Sequence, residues 1–124
     1  MAHASHRVLI VDDDSDVVSA TSMLLSIWGC EAASVVDPSR AEAAALAFHP
    51  DVILLDVAMS WINGFELCRA MKANATYRNI PVVFISGRSA PSDIETGMSC
   101  GAADYFVKPI DTRRLLERLR ELSS

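Results

Sequence analysis

Three separated stretches of this chain each end a short hydrophobic run with an acid or a base. Asp12-Asp13 follow Val8-Leu9-Ile10-Val11, Asp56 follows Val52-Ile53-Leu54-Leu55, and Lys108 follows Tyr105-Phe106-Val107. A fourth run, Val82-Val83-Phe84-Ile85, ends in the hydroxyl of Ser86. In an open parallel sheet the carboxyl ends of the strands share one edge, where such folds bind ligands. Three carboxylates, one ammonium and one hydroxyl would then meet in a single cleft. That set suits a divalent metal together with a phosphoryl group.

Positioning these groups requires strands that alternate with helices, and the pattern supplies them. A strand is predicted over 7–12 and a helix over 15–28, with Val18, Thr21, Met23, Leu24, Leu25 and Trp28 as its apolar face and Gly29 closing it. A weaker strand over 31–36, diluted by Glu31 and small residues, reads as a sheet edge. Asp37-Pro38 supplies an N-cap and a first-turn proline, and the Ala-rich helix behind it runs to His49, where Pro50 stops it. The strand over 51–56 is apolar on both faces and belongs at the sheet centre. Asn63-Gly64 marks a turn before a helix over 65–74. A strand over 81–86, a loop over 87–91 and a helix over 92–99 ending at Gly101 follow. The last pair is a strand over 104–107 and a helix over 111–122 that buries Leu115, Leu116, Leu119 and Leu122. Five strands and five helices in strict alternation make a doubly wound α/β domain with a parallel sheet and helices on both faces. Of the common strand orders, 2-1-3-4-5 has its switch point between strands one and three. Those strands carry Asp12-Asp13 and Asp56, so the chemistry selects this order.

Composition narrows the function classes. At 124 residues, 51% hydrophobic and 22% charged, the chain has the size and apolar content of one globular domain. No apolar run approaches the roughly 20 residues that span a bilayer, and residues 1–6 resemble a flexible tail more than a signal peptide. A cytoplasmic, membrane-free protein is expected. The net charge of −5 argues against direct nucleic-acid binding. Cys30, Cys68 and Cys100 are widely spaced and contain no CxxC pair, so reduced, packed thiols are expected.

Each site residue also has a plainer reading when taken alone. Asp12 and Asp13 would cap the first helix, Lys108 would be a surface ion-pair partner, Ser86 a turn residue and Tyr105 a partly buried strand aromatic. Asp56 is harder to explain that way, because an isolated charge at the end of a buried central strand is costly.

Taken in order, Val-Asp-Asp at 11–13, Leu-Asp-Val-Ala-Met at 55–59 with Gly64 following, Ile-Ser-Gly at 85–87 and Tyr-Phe-Val-Lys-Pro at 105–109 resemble the receiver domain of two-component response regulators, the CheY-like family. The resemblance covers residues 7–122. It implies the flavodoxin/CheY-like fold, a phosphoacceptor at Asp56, and Mg²⁺ (with Mn²⁺ able to substitute) held by Asp12, Asp13, Asp56 and the backbone carbonyl of Ala58. It also implies that Ser86 and Lys108 bind phosphoryl oxygens, that Ser86 and Tyr105 form a switch, and that the Lys108–Pro109 peptide is cis. The partner implied upstream is a histidine kinase or histidine phosphotransfer protein. Downstream, a protein target or attached output domain would read the face of helix four, strand five and helix five, through which a homodimer is also open. The implied protein is not an enzyme beyond its own phosphoryl transfer and autodephosphorylation. A carboxylate nucleophile forming an acyl phosphate is a recognised covalent strategy, and phosphoryl transfer asks mainly for positioning and charge stabilisation.

Several positions depart from the family pattern. Ser60 stands where proline is common, beside Trp61; Asn63 precedes Gly64, Ser86 replaces the more frequent threonine, and Gly87 replaces alanine. Ala58 and Arg88 occupy the variable positions that tune dephosphorylation in relatives. No output segment or linker is visible, so a stand-alone regulator, a phosphate sink or relay, and a receiver from a larger protein all fit. A haloacid-dehalogenase-type hydrolase would need a second acid two residues past the nucleophile, where Ala58 stands. A flavodoxin-like FMN module would need a phosphate cradle where this chain has Asp-Asp-Asp-Ser-Asp. The arginines of the last helix, Arg113, Arg114, Arg118 and Arg120, read as a solvated amphipathic face or, more sharply, as part of a partner surface.

Overall fold

The apolar runs become strands because both of their faces are covered. In the computed structural model, which describes residues 6–59 and 63–123, the order is β1 (Arg7–Val11), α1 (Ser15–Ile27), β2 (Glu31–Val35), a 3₁₀ turn (Pro38–Arg40), α2 (Ala41–Phe48), β3 (Val52–Leu55), α3 (Gly64–Ala73), β4 (Val82–Ser86), α4 (Pro91–Ser99), β5 (Asp104–Val107) and α5 (Thr112–Leu122). The five strands are parallel in the order β2-β1-β3-β4-β5. This is the doubly wound architecture and the strand order that the placement of the acids selected, with β2 at an edge.

The two-residue period of a strand sends alternate side chains to opposite layers. Leu9, Val11, Ile53, Leu55 and Phe84 pack with Ala41 and Ala45 of α2 and Phe65, Leu67 and Met71 of α3. Val8, Ile10, Val52, Leu54, Val83 and Ile85 pack with Val18 and Leu25 of α1 and Leu115 and Leu119 of α5. Each fully buried large side chain contributes about 1.5–3 kcal/mol relative to exposure, which makes β1, β3 and β4 a rigid base for their loops.

Element boundaries differ from the sequence reading by a residue or two, for local reasons. Asp12 and Asp56 fall just beyond their strands, and Pro81 stays outside β4. Asp37 caps a single 3₁₀ turn before α2 begins, accepting from the Ser39 N–H at 3.0 Å. Asn63 caps α3 by accepting from the Phe65 N–H at 2.7 Å, so the helix opens at Gly64. Asp111 is likewise a cap, not the first residue of α5. Met23, predicted on the buried face of α1, is exposed. It lies two residues from buried Leu25, about 200° round the helix, whereas Val18 is seven residues away and on the same side. Of the tail expected over 1–6, residues 1–5 lie outside the described residues, and the His6 carbonyl accepts from the Glu31 N–H at 2.8 Å.

Candidate functional site

Strand register brings the acids together. Val11 pairs with Leu55 across β1 and β3, so the next residues, Asp12 and Asp56, stand side by side at the carboxyl edge. Backbone hydrogen bonds continue past the strands and fix both: the Asp56 N–H donates to Val11 O at 3.1 Å and the Asp12 N–H to Val35 O at 3.2 Å. One ligand oxygen from each of Asp12, Asp13 and Asp56 lies within 4.8 Å of the others. On the other flank, Ser86 pairs with Val107, and the Lys108 N–H donates to Ser86 O at 2.8 Å. Lys108 Nζ then lies 3.9 Å from Asp12 Oδ2. The Lys108–Pro109 peptide is cis.

Capping is not the work of the paired acids. Asp14 is the N-cap of α1, accepting from the Asp16 N–H at 3.0 Å and the Val17 N–H at 3.3 Å. Asp12 Oδ1 accepts from the Asp14 N–H at 3.0 Å, which aims the Asp12 carboxylate into the cleft.

The floor of the cleft is apolar. Asp12 and Asp56 adjoin a cavity of about 20 Å³ whose lining includes Ile10, Leu54, Ile85 and Leu115. Burial there pushes the Asp12 carboxyl above the ordinary carboxylate range, against the pull of the Asp14 N–H and the Lys108 charge. Asp56 is raised for the same first reason and then by the Asp12 charge, while Lys108 and hydrogen bonds from the Val57 and Ala58 N–H groups oppose the rise. Three acids face one ammonium, so the pocket is short of positive charge. A hard divalent cation with oxygen ligands fits that donor set, and its own charge would remove the repulsion. A larger groove of about 780 Å³ lies elsewhere, lined by residues of β2, Asp37, Arg40 and α2, and it contains none of these acids.

Ser86 is buried, and its Oγ accepts from the Arg88 N–H at 3.1 Å. The Arg88 carbonyl in turn accepts from the Tyr105 hydroxyl at 2.8 Å. Tyr105 is half-buried, its ring 5.8 Å from that of Phe84 and packed against Gly97 of α4. One residue of the β4–α4 loop therefore joins Ser86 to Tyr105 through its own backbone groups. Sequence reading could not find that link, because a peptide N–H and C=O leave no mark in residue type. Asp14 was findable, as an Asp immediately before a helical pattern.

Ala58 is exposed and forms an antiparallel bridge with Asn63. Ser60, which stands where proline is common in the family, and Trp61 beside it lie outside the described residues. Arg118 is not a free surface charge. It holds Asp104 at 2.9 Å, the Ala103 carbonyl at 3.1 Å and Glu121 at 3.3 Å, clasping α5 onto β5.

Comparison with known proteins agrees with this geometry. A family model described as the response regulator receiver domain matches residues 8–120. The transcriptional regulatory protein PrrA of Mycobacterium tuberculosis is 38% identical over 118 residues, covering 95% of this chain and 50% of its own length. The response regulator PleD of Caulobacter vibrioides is 39% identical over 119 residues, covering 96% of this chain and 26% of its own. The chain thus spans half or less of these curated relatives. Among solved structures, the chemotaxis protein CheY4 of Vibrio cholerae superposes with a TM-score of 0.87 at 30% identity, covering 96% of this chain and 99% of that one.

Proposed function

This chain belongs to the response regulator receiver domain family, and from that premise we propose that residues 7–122 form a phosphoacceptor switch whose nucleophile is Asp56. The observation that carries the reading is the cluster of Asp12, Asp13 and Asp56 within 4.8 Å, with Lys108 3.9 Å from Asp12. A carboxylate, a cation-binding pair and an ammonium are together what an anionic nucleophile needs to meet an anionic donor.

The donor is a phosphohistidine of a histidine kinase or histidine phosphotransfer protein. An Asp56 carboxylate oxygen attacks phosphorus, the phosphorus–nitrogen bond breaks, and the imidazole departs with its electron pair. Asp12, Asp13, Asp56 and the Ala58 carbonyl would hold Mg²⁺, or Mn²⁺ in its place, and the ion would supply charge that offsets repulsion between nucleophile and phosphoryl group. Lys108 offers its ammonium to one phosphoryl oxygen, and Ser86 its hydroxyl to another. Asp56 lies at the end of a rigid central strand, so little reorganisation is needed at transfer.

The Ser86–Arg88–Tyr105 chain gives the new group a route outward. As the Ser86 hydroxyl turns to the phosphoryl group, its contact with the Arg88 N–H changes. The Tyr105 ring and the face of α4, β5 and α5 then follow in a population shift limited by what the phosphoryl group gains in the active packing. A downstream protein, an attached output domain or a second copy of the chain reads that face. The chemistry is a single transfer followed by hydrolysis, in which water takes the phosphoryl group as inorganic phosphate and frees the Asp56 carboxylate, not turnover of a small substrate. Among the described residues no helix is long and apolar enough to cross a membrane, and a cytoplasmic site of action accords with a soluble kinase domain as donor.

The test is intact mass after incubation with acetyl phosphate and Mg²⁺. One phosphoryl adduct that requires Mg²⁺ and is lost in Asp56→Asn is expected. The absence of any adduct over a wide range of donor concentrations would overturn the reading.

A further inference from the structure

The loop that leads from Asp56 into α3 is closed on itself twice. The Gly64 N–H donates to Val57 O at 2.8 Å, and Ala58 bridges Asn63. Gly64 is buried and opens α3, whose Phe65, Leu67, Cys68 and Met71 are all buried in the core. No side chain fits at residue 64. A Cβ there would lie 2.1 Å from the Asp56 carbonyl oxygen, 2.9 Å from Val57 Cα and 3.0 Å from the Asp56 carbonyl carbon. All three are backbone atoms, which cannot swing aside as a flexible side chain does. The positive-φ glycines are Gly29 and Gly101, so at Gly64 the demand is for space and not for torsional freedom.

We propose that Gly64 is a positioning residue for the acidic pocket. Its missing side chain lets the first turn of α3 press onto the Asp56–Val57 peptide, and that contact fixes the direction in which Asp56 and the Ala58 backbone meet Asp12 and Asp13. The consequence for transfer rests on the phosphoacceptor reading; the consequence for the backbone rests on packing alone. Because α3 is anchored by four buried side chains, an added methyl group is relieved at the 56–57 peptide more readily than by retreat of the helix. Relief of roughly 1 Å is needed, and misplacing a reacting group by about 1 Å costs on the order of a hundredfold in rate.

The experiment compares wild type, Gly64→Ala and Leu67→Ala, the last loosening α3 from the core without adding an atom at the peptide. In Gly64→Ala the metal-free amide signals of Asp56, Val57 and Ala58 move, Mg²⁺ binds at least tenfold more weakly, and phosphorylation by acetyl phosphate slows about a hundredfold. In Leu67→Ala those signals stay and Mg²⁺ affinity changes less than about threefold. Wild-type signals and Mg²⁺ affinity in Gly64→Ala overturn the proposal, as does a Leu67→Ala protein that matches it in both. If Gly64→Ala does not fold in buffer alone, it and the wild type are compared in trimethylamine N-oxide, which favours the folded state. Mg²⁺ binding weakened at least tenfold there supports the role, and unchanged binding overturns it. A wild type that binds Mg²⁺ but takes no phosphoryl group refutes the phosphoacceptor reading alone, because amide signals and Mg²⁺ affinity still decide the role of Gly64.

Discussion

Removing the Asp56 carboxylate should stabilise the metal-free fold. In the pocket, Asp56 faces Asp12 and Asp13 with ligand oxygens within 4.8 Å. Two unit charges at that distance repel by about 3.5 kcal/mol at an effective dielectric constant of 20 and by about 0.9 kcal/mol in bulk water. Asp56 takes part in two such repulsions, and the attraction of Lys108 cancels roughly one of them. The net gain for Asp56→Asn is therefore about 1–3 kcal/mol, with the half-exposed position of Asp56 favouring the lower end. The side-chain oxygen of Asn can still accept from the Val57 and Ala58 N–H groups, so no donor is orphaned. For a chain of this length the gain appears as a rise in melting temperature of at least about 3 °C. The pH dependence has a definite sign. Burial and the Asp12 charge raise Asp56 above 3.8, so the folded state holds this proton more tightly than the unfolded chain. Stability contributed by the protonated group is complete below the unfolded value and is lost as pH rises through the folded one. Wild type should therefore lose more stability than Asp56→Asn as pH rises through the carboxylate range. The assay is thermal unfolding in EDTA, at low salt and again near 1 M salt, where a Debye length of about 3 Å should shrink the difference. Millimolar Mg²⁺ should raise the wild type more than the variant. An Asp56→Asn protein that melts at or below wild type in EDTA would refute the electrostatic reasoning.

Other consequences follow from particular contacts. Arg118→Ala releases Asp104 and the Ala103 carbonyl and should cost about 1–2 kcal/mol in urea unfolding, because the guanidinium is only one-third exposed; an unchanged midpoint would show that the clasp is passive. A methyl group in Gly97→Ala would sit 2.8 Å from Tyr105 Cδ2. The cost should be about 1–3 kcal/mol, and a double-mutant cycle with Tyr105→Ala should abolish most of it. Cys30, Cys68 and Cys100 are buried, and burial pushes the Cys68 thiol up to about 11. At pH 8 the folded protein should react slowly with a disulfide reagent and all three thiols rapidly in denaturant; a fast-reacting thiol in the native state would contradict the packing.

The sequence by itself determined the architecture and the membership of the pocket. Apolar runs at 8–11, 52–55 and 82–85 can be satisfied only by strands covered on both faces, and alternation with helical patterns makes those strands parallel. Parallel strands then deliver Asp12, Asp56, Ser86 and Lys108 to one edge, because the carboxyl end of each run is fixed by chain direction. Helix faces were less legible: Met23 looked buried by type and is exposed, since a short helix with many apolar residues does not say which stripe its neighbours cover. What tertiary structure alone decided is which groups meet across elements. Arg118 clasps Asp104 instead of standing free, and the backbone N–H and C=O of Arg88 join Ser86 to Tyr105. Gly64 belongs with these, for only the approach of α3 to within 2.1 Å of the Asp56 carbonyl oxygen, measured at an added Cβ, shows why glycine stands there. The physical reason is common to all three. Residue type and spacing specify which groups share an edge, whereas hydrogen-bond partners and forbidden volumes depend on distances between elements far apart in the chain, which exist only after the helices have packed onto the sheet.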